Sequence, residues 1–203
     1  MTPLKERFKK WKETRNLWQK AGDVFFWILL ILLLIPGPRK AVMTTVNRLA
    51  LPLKNPGLRS EEKQVLLKET DYLLQLEDLR GQTLTLDDFQ GDVLFLNFWA
   101  TWCPPCVAEL PEIRKAHEKH GEQVRFLLVT QEQPERVRAF LEKRGEDLPV
   151  YFARGPLPPN LQASAIPTTY IVSRDGRIVT RKTGAANWDS RATDKIFRQL
   201  LSR

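Results

Sequence analysis

Val93-Leu94-Phe95-Leu96-Asn97-Phe98-Trp99-Ala100-Thr101-Trp102-Cys103-Pro104-Pro105-Cys106 is the stretch that decides the fold. Residues 93–100 form an apolar run bounded by Gly91-Asp92, the pattern of a central strand buried on both faces. Pro104 and Pro105 then stand where a first helical turn tolerates residues without an N–H. The spacing predicts a helix over 104–120, with Gly121 as its stop. Cys103 thus falls at the junction between a buried strand and a helix N-terminus.

Working outward, the chain reads as a compact α/β domain with a central mixed sheet flanked by helices. Upstream, 72–76 and 83–86 read as short strands around Gly81. Downstream, 124–130 is a buried strand, 134–144 a helix stopped by Gly145, and 149–152 a short strand. Gly155-Pro156-Leu157-Pro158-Pro159 forms a stiff loop. Residues 168–172 and 177–181 make a hairpin around Asp175-Gly176, and a last helix spans 189–201. No internal repeat is visible.

The chain has two cysteines, Cys103 and Cys106. One C-x-x-C pair is no disulfide framework for 203 residues, and a bridge closing so short a loop removes little chain entropy. Chemistry is the better reason for the pair. A thiolate at Cys103 would face the unpaired N–H groups and positive end of the helix, which favour the ionised, reactive form. Cys106, one turn on, is placed to bridge to Cys103 or to resolve a mixed disulfide. The pair therefore suits a two-step exchange: Cys103 attacks a disulfide, or is attacked when oxidised, and Cys106 releases the partner. His117 and His120 complete a string that mimics a zinc motif. A helix places His117 about 16 Å from Cys106 along its axis, too far for one ion with ligand bonds of ~2 Å. Both histidines are expected on the solvent face, and no metal or cofactor is expected.

Charge is divided along the chain. Residues 1–60 hold 12 Lys/Arg and 3 Asp/Glu, a net of +9, while 61–203 carry −1, so the overall +8 belongs to the N-terminal segment. A nucleic-acid-binding domain concentrates its charge on the folded face, so nucleic acid is not an expected partner. Seven basic residues, Lys5 through Lys20, precede an uninterrupted apolar run of 12 over 24–35, and Pro36-Gly37-Pro38 end it. Twelve residues rise about 18 Å, short of a hydrocarbon core of ~30 Å. Three readings stay open: an anchor extended by its flanks, a cleaved signal and a buried helix. Arg39-Lys40, where a small-residue cleavage site would stand, disfavour the signal. The anchor reading lets Lys20 snorkel and puts Trp18 and Trp27 at the interfaces. The expected organisation is a basic cytoplasmic tail over 1–17, a single-pass anchor over 18–36, a linker over 37–70 and the α/β domain over 71–203. Four basic residues follow the run within 36–54 against seven before it, so the N-terminus is expected in the cytoplasm and the domain outside. Within the linker, 41–53 is expected along the outer membrane surface, Asn55-Pro56-Gly57 as a turn, and Ser60-Glu61-Glu62-Lys63 as a cap.

Asn97-Phe98-Trp99-Ala100-Thr101-Trp102-Cys103-Pro104-Pro105-Cys106, followed by Glu109-Leu110-Pro111, resembles the TlpA/ResA group of membrane-anchored thioredoxin-like proteins. Ile166-Pro167-Thr168-Thr169-Tyr170-Ile171-Val172, followed by Arg174-Asp175-Gly176-Arg177, resembles that group's cis-proline strand and hairpin. The resemblance implies a thioredoxin-like fold, Cys103 as the exposed nucleophile, Cys106 as the resolving thiol and Pro167 as a cis-proline opposite them. A cis bond there would leave backbone groups of Ile166 to pair with a substrate strand. It also implies a proton-handling role for Glu109, and packing of Trp99 and Trp102 around the site, with Trp102, Pro104, Ile166 and Pro167 as the substrate-contacting set. Asn97 departs from thioredoxin, which has a buried acid at that strand position. Ala165 departs from relatives that place glycine there, which narrows the groove.

The resemblance further implies a disulfide reductase of the periplasm or an equivalent face, acting on disulfide-containing proteins such as apocytochrome c and fed by a transmembrane thiol carrier. Three alternatives stay open: a disulfide oxidase on the same scaffold, a thiol peroxidase and a non-enzymatic anchored interaction module. A peroxidase lacks its T-x-x-C spacing, since Thr101 lies two residues before Cys103.

Overall fold

The computed structural model describes residues 16–34, 42, 44–46, 51, 55–58 and 64–202, in two units, Met1–Val42 and Met43–Arg203. In the first, Leu17–Leu34 is a helix (α1) of 18 residues, about 27 Å long. Among the described residues no helix is long and apolar enough to cross a membrane. The first turns of α1 carry Gln19, Lys20 and Asp23, and its apolar residues follow from Val24 on. Val24, Phe25, Phe26, Trp27 and Ile28 are all exposed. The tail over 1–15, residues 35 and 36 of the expected anchor, most of 41–53 and the cap at 60–63 lie outside the described residues.

The second unit is built on one eight-stranded sheet. Its strands are Val65–Leu66 (β1), Gln75–Asp78 (β2), Thr83–Thr85 (β3), Val93–Phe98 (β4), Val124–Thr130 (β5), Val150–Arg154 (β6), Thr168–Val172 (β7) and Arg177–Thr183 (β8). They lie in the order β1-β8-β7-β4-β5-β6-β2-β3. The β4–β5 and β5–β6 pairs are parallel and the others antiparallel, so the sheet is mixed, as expected. The helices are Glu69–Tyr72 (α2), Pro104–His120 (α3), Pro134–Arg144 (α4) and Arg191–Leu201 (α5). Parallel neighbours need a crossover, and α3 and α4 supply the two.

Strand β4 sorts the core. Val93 and Phe95 point to the face packed by Ile113, Val137, Ile196 and Phe197, from α3, α4 and α5. Leu94, Leu96 and Phe98 point to the other face, against Leu74, Leu76, Leu86 and Leu161. Every residue of β4 is buried, which is why its sequence reads as an unbroken apolar run.

Two expected strands differ. The region 72–76 opens with α2, because the buried Asp71 carboxylate accepts the Lys68 N–H at 2.8 Å and the Asn160 side-chain amide at 2.7 Å, closing a helical turn before β2 begins. The second strand stops at Thr85, where Asp88 accepts the Thr85 N–H at 2.7 Å and starts a 3-10 turn over Leu86–Phe89. The hairpin turn is Ser173 to Gly176, and Gly176 takes a left-handed φ of 80° that favours glycine. The histidines also depart from a solvent face. His117 and His120 are half-buried, stacked edge-on against Phe126 and Phe197, and His120 Nε2 lies 2.9 Å from Asp194.

Candidate active site at the head of helix α3

The chain leaves β4 at Phe98 and enters α3 at Pro104, so Cys103 becomes the helix N-cap. Its sulfur accepts the Cys106 N–H at 3.3 Å, and Pro104 and Pro105 fill the first turn, where two further N–H groups would otherwise lack partners. Cys103 and Cys106 are joined in a disulfide with their Cα atoms 5.3 Å apart. Cys103 retains 3% exposure and Cys106 none, so of the pair only Cys103 keeps any surface. The nucleophile expected to be exposed is thus nearly covered in the oxidised pair.

Ile166 and Pro167 meet this disulfide from the loop before β7. The Ile166–Pro167 bond is cis, and the Ile166 carbonyl oxygen lies 3.7 Å from the Cys103 sulfur. That contact is a hydrogen bond only when Cys103 is a thiol, since a disulfide sulfur has no proton to give.

On the helical face of the sheet lies Glu109, one turn past Cys106 and 1% exposed. Its Oε1 accepts from the Asn97 side-chain amide at 2.9 Å. Its Oε2 accepts from the Ala186 N–H at 3.0 Å and the Trp188 indole N–H at 3.1 Å. Gly184, with a φ of 82° and its N–H on the Pro167 carbonyl at 2.8 Å, turns the chain out of β8 toward these donors. Burial pushes the Glu109 carboxyl up from 4.5 to about 7, against the three donors, which hold it down. Among the described residues no cation bonds to it, and with a value of about 7 the group exchanges its proton near neutral pH.

Beyond the carboxyl ends of β4 and β5 opens a cavity of about 250 Å³, lined by Trp99, Trp102, Glu132, Leu157, Ala163 and Ile166 among others. Trp102 is half exposed and Trp99 buried against Phe140. Of the expected substrate-contacting set, Trp102 and Ile166 line the cavity, while Pro104 and Pro167 flank the disulfide. Glu132 went unnoticed in the sequence. Its carboxylate accepts the Thr101 N–H at 2.5 Å and the Thr101 hydroxyl at 2.8 Å, and pairs with Arg136 at 3.3 Å. It thereby pins Thr101, two residues before Cys103. Ala186 and Trp188 were missed as well, being 77 and 79 residues from Glu109. Among the described residues no cluster of His, Cys, Asp and Glu is arranged to hold a metal.

A model of the Redoxin family matches residues 63–201. The chain is 35% identical over 112 residues to the thiol-disulfide oxidoreductase ResA of Halalkalibacterium halodurans, over 54% of this chain and 64% of that one. It is 32% identical over 130 residues to ResA of Geobacillus thermodenitrificans, over 62% and 74%. A thiol:disulfide interchange protein of the thioredoxin family from Chlorobium tepidum shares the fold, with a TM-score of 0.51 and 20% identity over 73% of this chain and 97% of that one. With a half-exposed tryptophan, a helix-capping disulfide and a cis-proline gathered at one place, the chain belongs to the redoxin family, as a thioredoxin-like thiol-disulfide oxidoreductase of the ResA type.

Proposed function

We propose that this chain is a membrane-tethered reductant of protein disulfides on the periplasmic face, acting on disulfides such as that of apocytochrome c and recharged by a transmembrane thiol carrier. The observation that carries the redox cycle is the Cys103–Cys106 disulfide at the N-cap of α3, with the Cys106 N–H on the Cys103 sulfur and Glu109 one turn below. In the reduced form the Cys103 thiolate attacks a substrate disulfide. A Cys103–substrate bond forms and one substrate sulfur leaves as thiolate. Cys106 then gives its proton to Glu109, its sulfur attacks that of Cys103, and the second substrate sulfur leaves. Two electrons have passed to the substrate, and the Cys103–Cys106 disulfide is restored. The carrier's dithiol reverses these steps. Trp102 and Ile166 hold the substrate strand over the cavity, and the Ile166 carbonyl orients the Cys103 thiol.

The tethered arrangement has the tail 1–17 in the cytoplasm, the anchor at 18–36 and the redox domain outside; the end of the expected 37–70 linker belongs to that domain, since β1 at Val65–Leu66 pairs with β8. It is supported by the charge bias across the apolar run and by the exposed apolar side chains of α1, which lipid would cover. The relatives' name, thiol-disulfide oxidoreductase, supports the chemistry. Cys106→Ala expressed in cells tests the whole reading. Membrane-bound mixed disulfides through Cys103 that include apocytochrome c support it, and a protein that captures no thiol partner contradicts it.

A further inference from the structure

Beside Glu109, a buried polar atom has no partner among the described residues. Asn97 is fully buried, and its Nδ2 spends both hydrogens, on Glu109 Oε1 at 2.9 Å and on the Thr169 hydroxyl at 2.8 Å. Its Oδ1 is buried with no partner among the described residues. Carbonyl oxygens left this way are uncommon and costly.

The arrangement fits only one protonation state of its neighbour. All three groups on Glu109 donate, namely Asn97 Nδ2, the Ala186 N–H and the Trp188 indole N–H. An ionised carboxylate accepts all three, whereas a protonated one carries an O–H that needs an acceptor. Among the described residues no other charged side chain from β4, β7, α3 or the segment before α5 bonds to it. Asn97, already bonded to Glu109, carries an unused acceptor of its own. A half-turn about the Asn97 Cβ–Cγ bond exchanges Nδ2 and Oδ1. Oδ1 then receives the Glu109 proton on one side and the Thr169 hydroxyl on the other, since that hydroxyl can donate as well as accept.

We propose that Asn97 is a positioning residue whose side-chain amide turns over each time Glu109 gains or loses its proton, donating to the carboxylate and accepting from the acid. This deepens the proposed cycle and rests on Glu109 taking the proton that Cys106 gives up. The turned amide pairs the acid's O–H while moving Nδ2 into the place where Oδ1 had no partner, so it turns back once the proton is passed on. A fixed acid at this strand position would instead compete with Glu109 for the proton.

The test follows the full-length protein in detergent micelles by NMR from pH 5 to 9, with labelled asparagine amides and Glu109 carboxyl carbon. The expected result is a cross-peak from the Asn97 Hδ2 protons to Thr169 at high pH that is lost as the Glu109 carboxyl protonates. A cross-peak that persists while Glu109 titrates overturns the turnover and leaves the proton role of Glu109 standing. A carboxyl carbon that does not move overturns both. Two variants read the same point in exchange kinetics. Asn97→Val, with neither donor nor acceptor, slows exchange with a peptide disulfide about tenfold below pH 7 and much less above it. Asn97→Thr, whose hydroxyl does both, restores most of the rate. Equal slowing by both variants at every pH marks a structural role only and overturns the proposal.

Discussion

Two carboxylates flank the same disulfide, and they are set to different tasks by their surroundings. Glu109 lies in a dry chamber on the helical face of the sheet, held by one backbone and two side-chain donors and raised to about 7. Glu132 lies at the rim of the open cavity, holds Thr101 by two hydrogen bonds and has the Arg136 guanidinium at 3.3 Å. Both accept a backbone N–H. The difference is the cation and the water: burial without a counter-charge makes Glu109 a group that exchanges a proton, whereas a paired rim carboxylate serves as a clamp.

The largest expected effect removes what both carboxylates serve. Cys103→Ser lowers disulfide reduction by at least about 10³-fold, read with a peptide disulfide, while leaving thermal stability of the reduced protein nearly unchanged. Retained turnover would make the two carboxylates incidental.

Glu109→Gln comes next. A buried acid whose folded value is raised binds more protons folded than unfolded, so stability is greatest below about pH 4.5 and falls as pH rises toward about 7. The shift from 4.5 to about 7 corresponds to about 3 kcal/mol. The glutamine variant is expected to lack this slope in denaturant titrations at pH 5 and 8, and to lose the neutral-pH limb of the exchange rate. An unchanged slope would move the titrating group elsewhere and erase the contrast with Glu132.

Glu132→Ala leaves the Thr101 N–H and hydroxyl without their acceptor, at a cost of about 1–2 kcal/mol. It is expected to raise KM for peptide substrates more than it changes kcat, because the loop carrying Trp102 loses its clamp. A change in the pH profile instead would show that the rim carboxylate also handles protons. The smallest effect belongs to Arg125→Ala near the start of β5. Its ion pair with Asp92, at 2.8 Å, is solvent-exposed, so stability is expected to move by less than about 0.5 kcal/mol in the same titrations.

The sequence made some of this legible and hid the rest for physical reasons. Strand β4 and helix α3 were readable because burial on both faces and prolines at a helix start leave local patterns. The half-buried histidines were not, since an edge-on contact with Phe126 or Phe197 has no local signature. Asp71 turned an expected strand into a helical turn through Asn160, 89 residues away. Around Glu109, the acid and Asn97 stood in the motif, but the Ala186 and Trp188 donors come from a segment that only tertiary folding brings near. Glu132 is one acid among 24 acidic residues, and nothing in its neighbours marks it as the partner of Thr101.

The direction of electron flow is the claim on which the account turns, and the reduction potential of the Cys103/Cys106 couple measures it directly. The full-length protein, equilibrated against glutathione or dithiothreitol and quenched by alkylation, is expected to show a potential near or below the ~−270 mV of thioredoxin. A value toward the ~−120 mV of strong oxidants would contradict a reductant and make this protein a disulfide-forming oxidase.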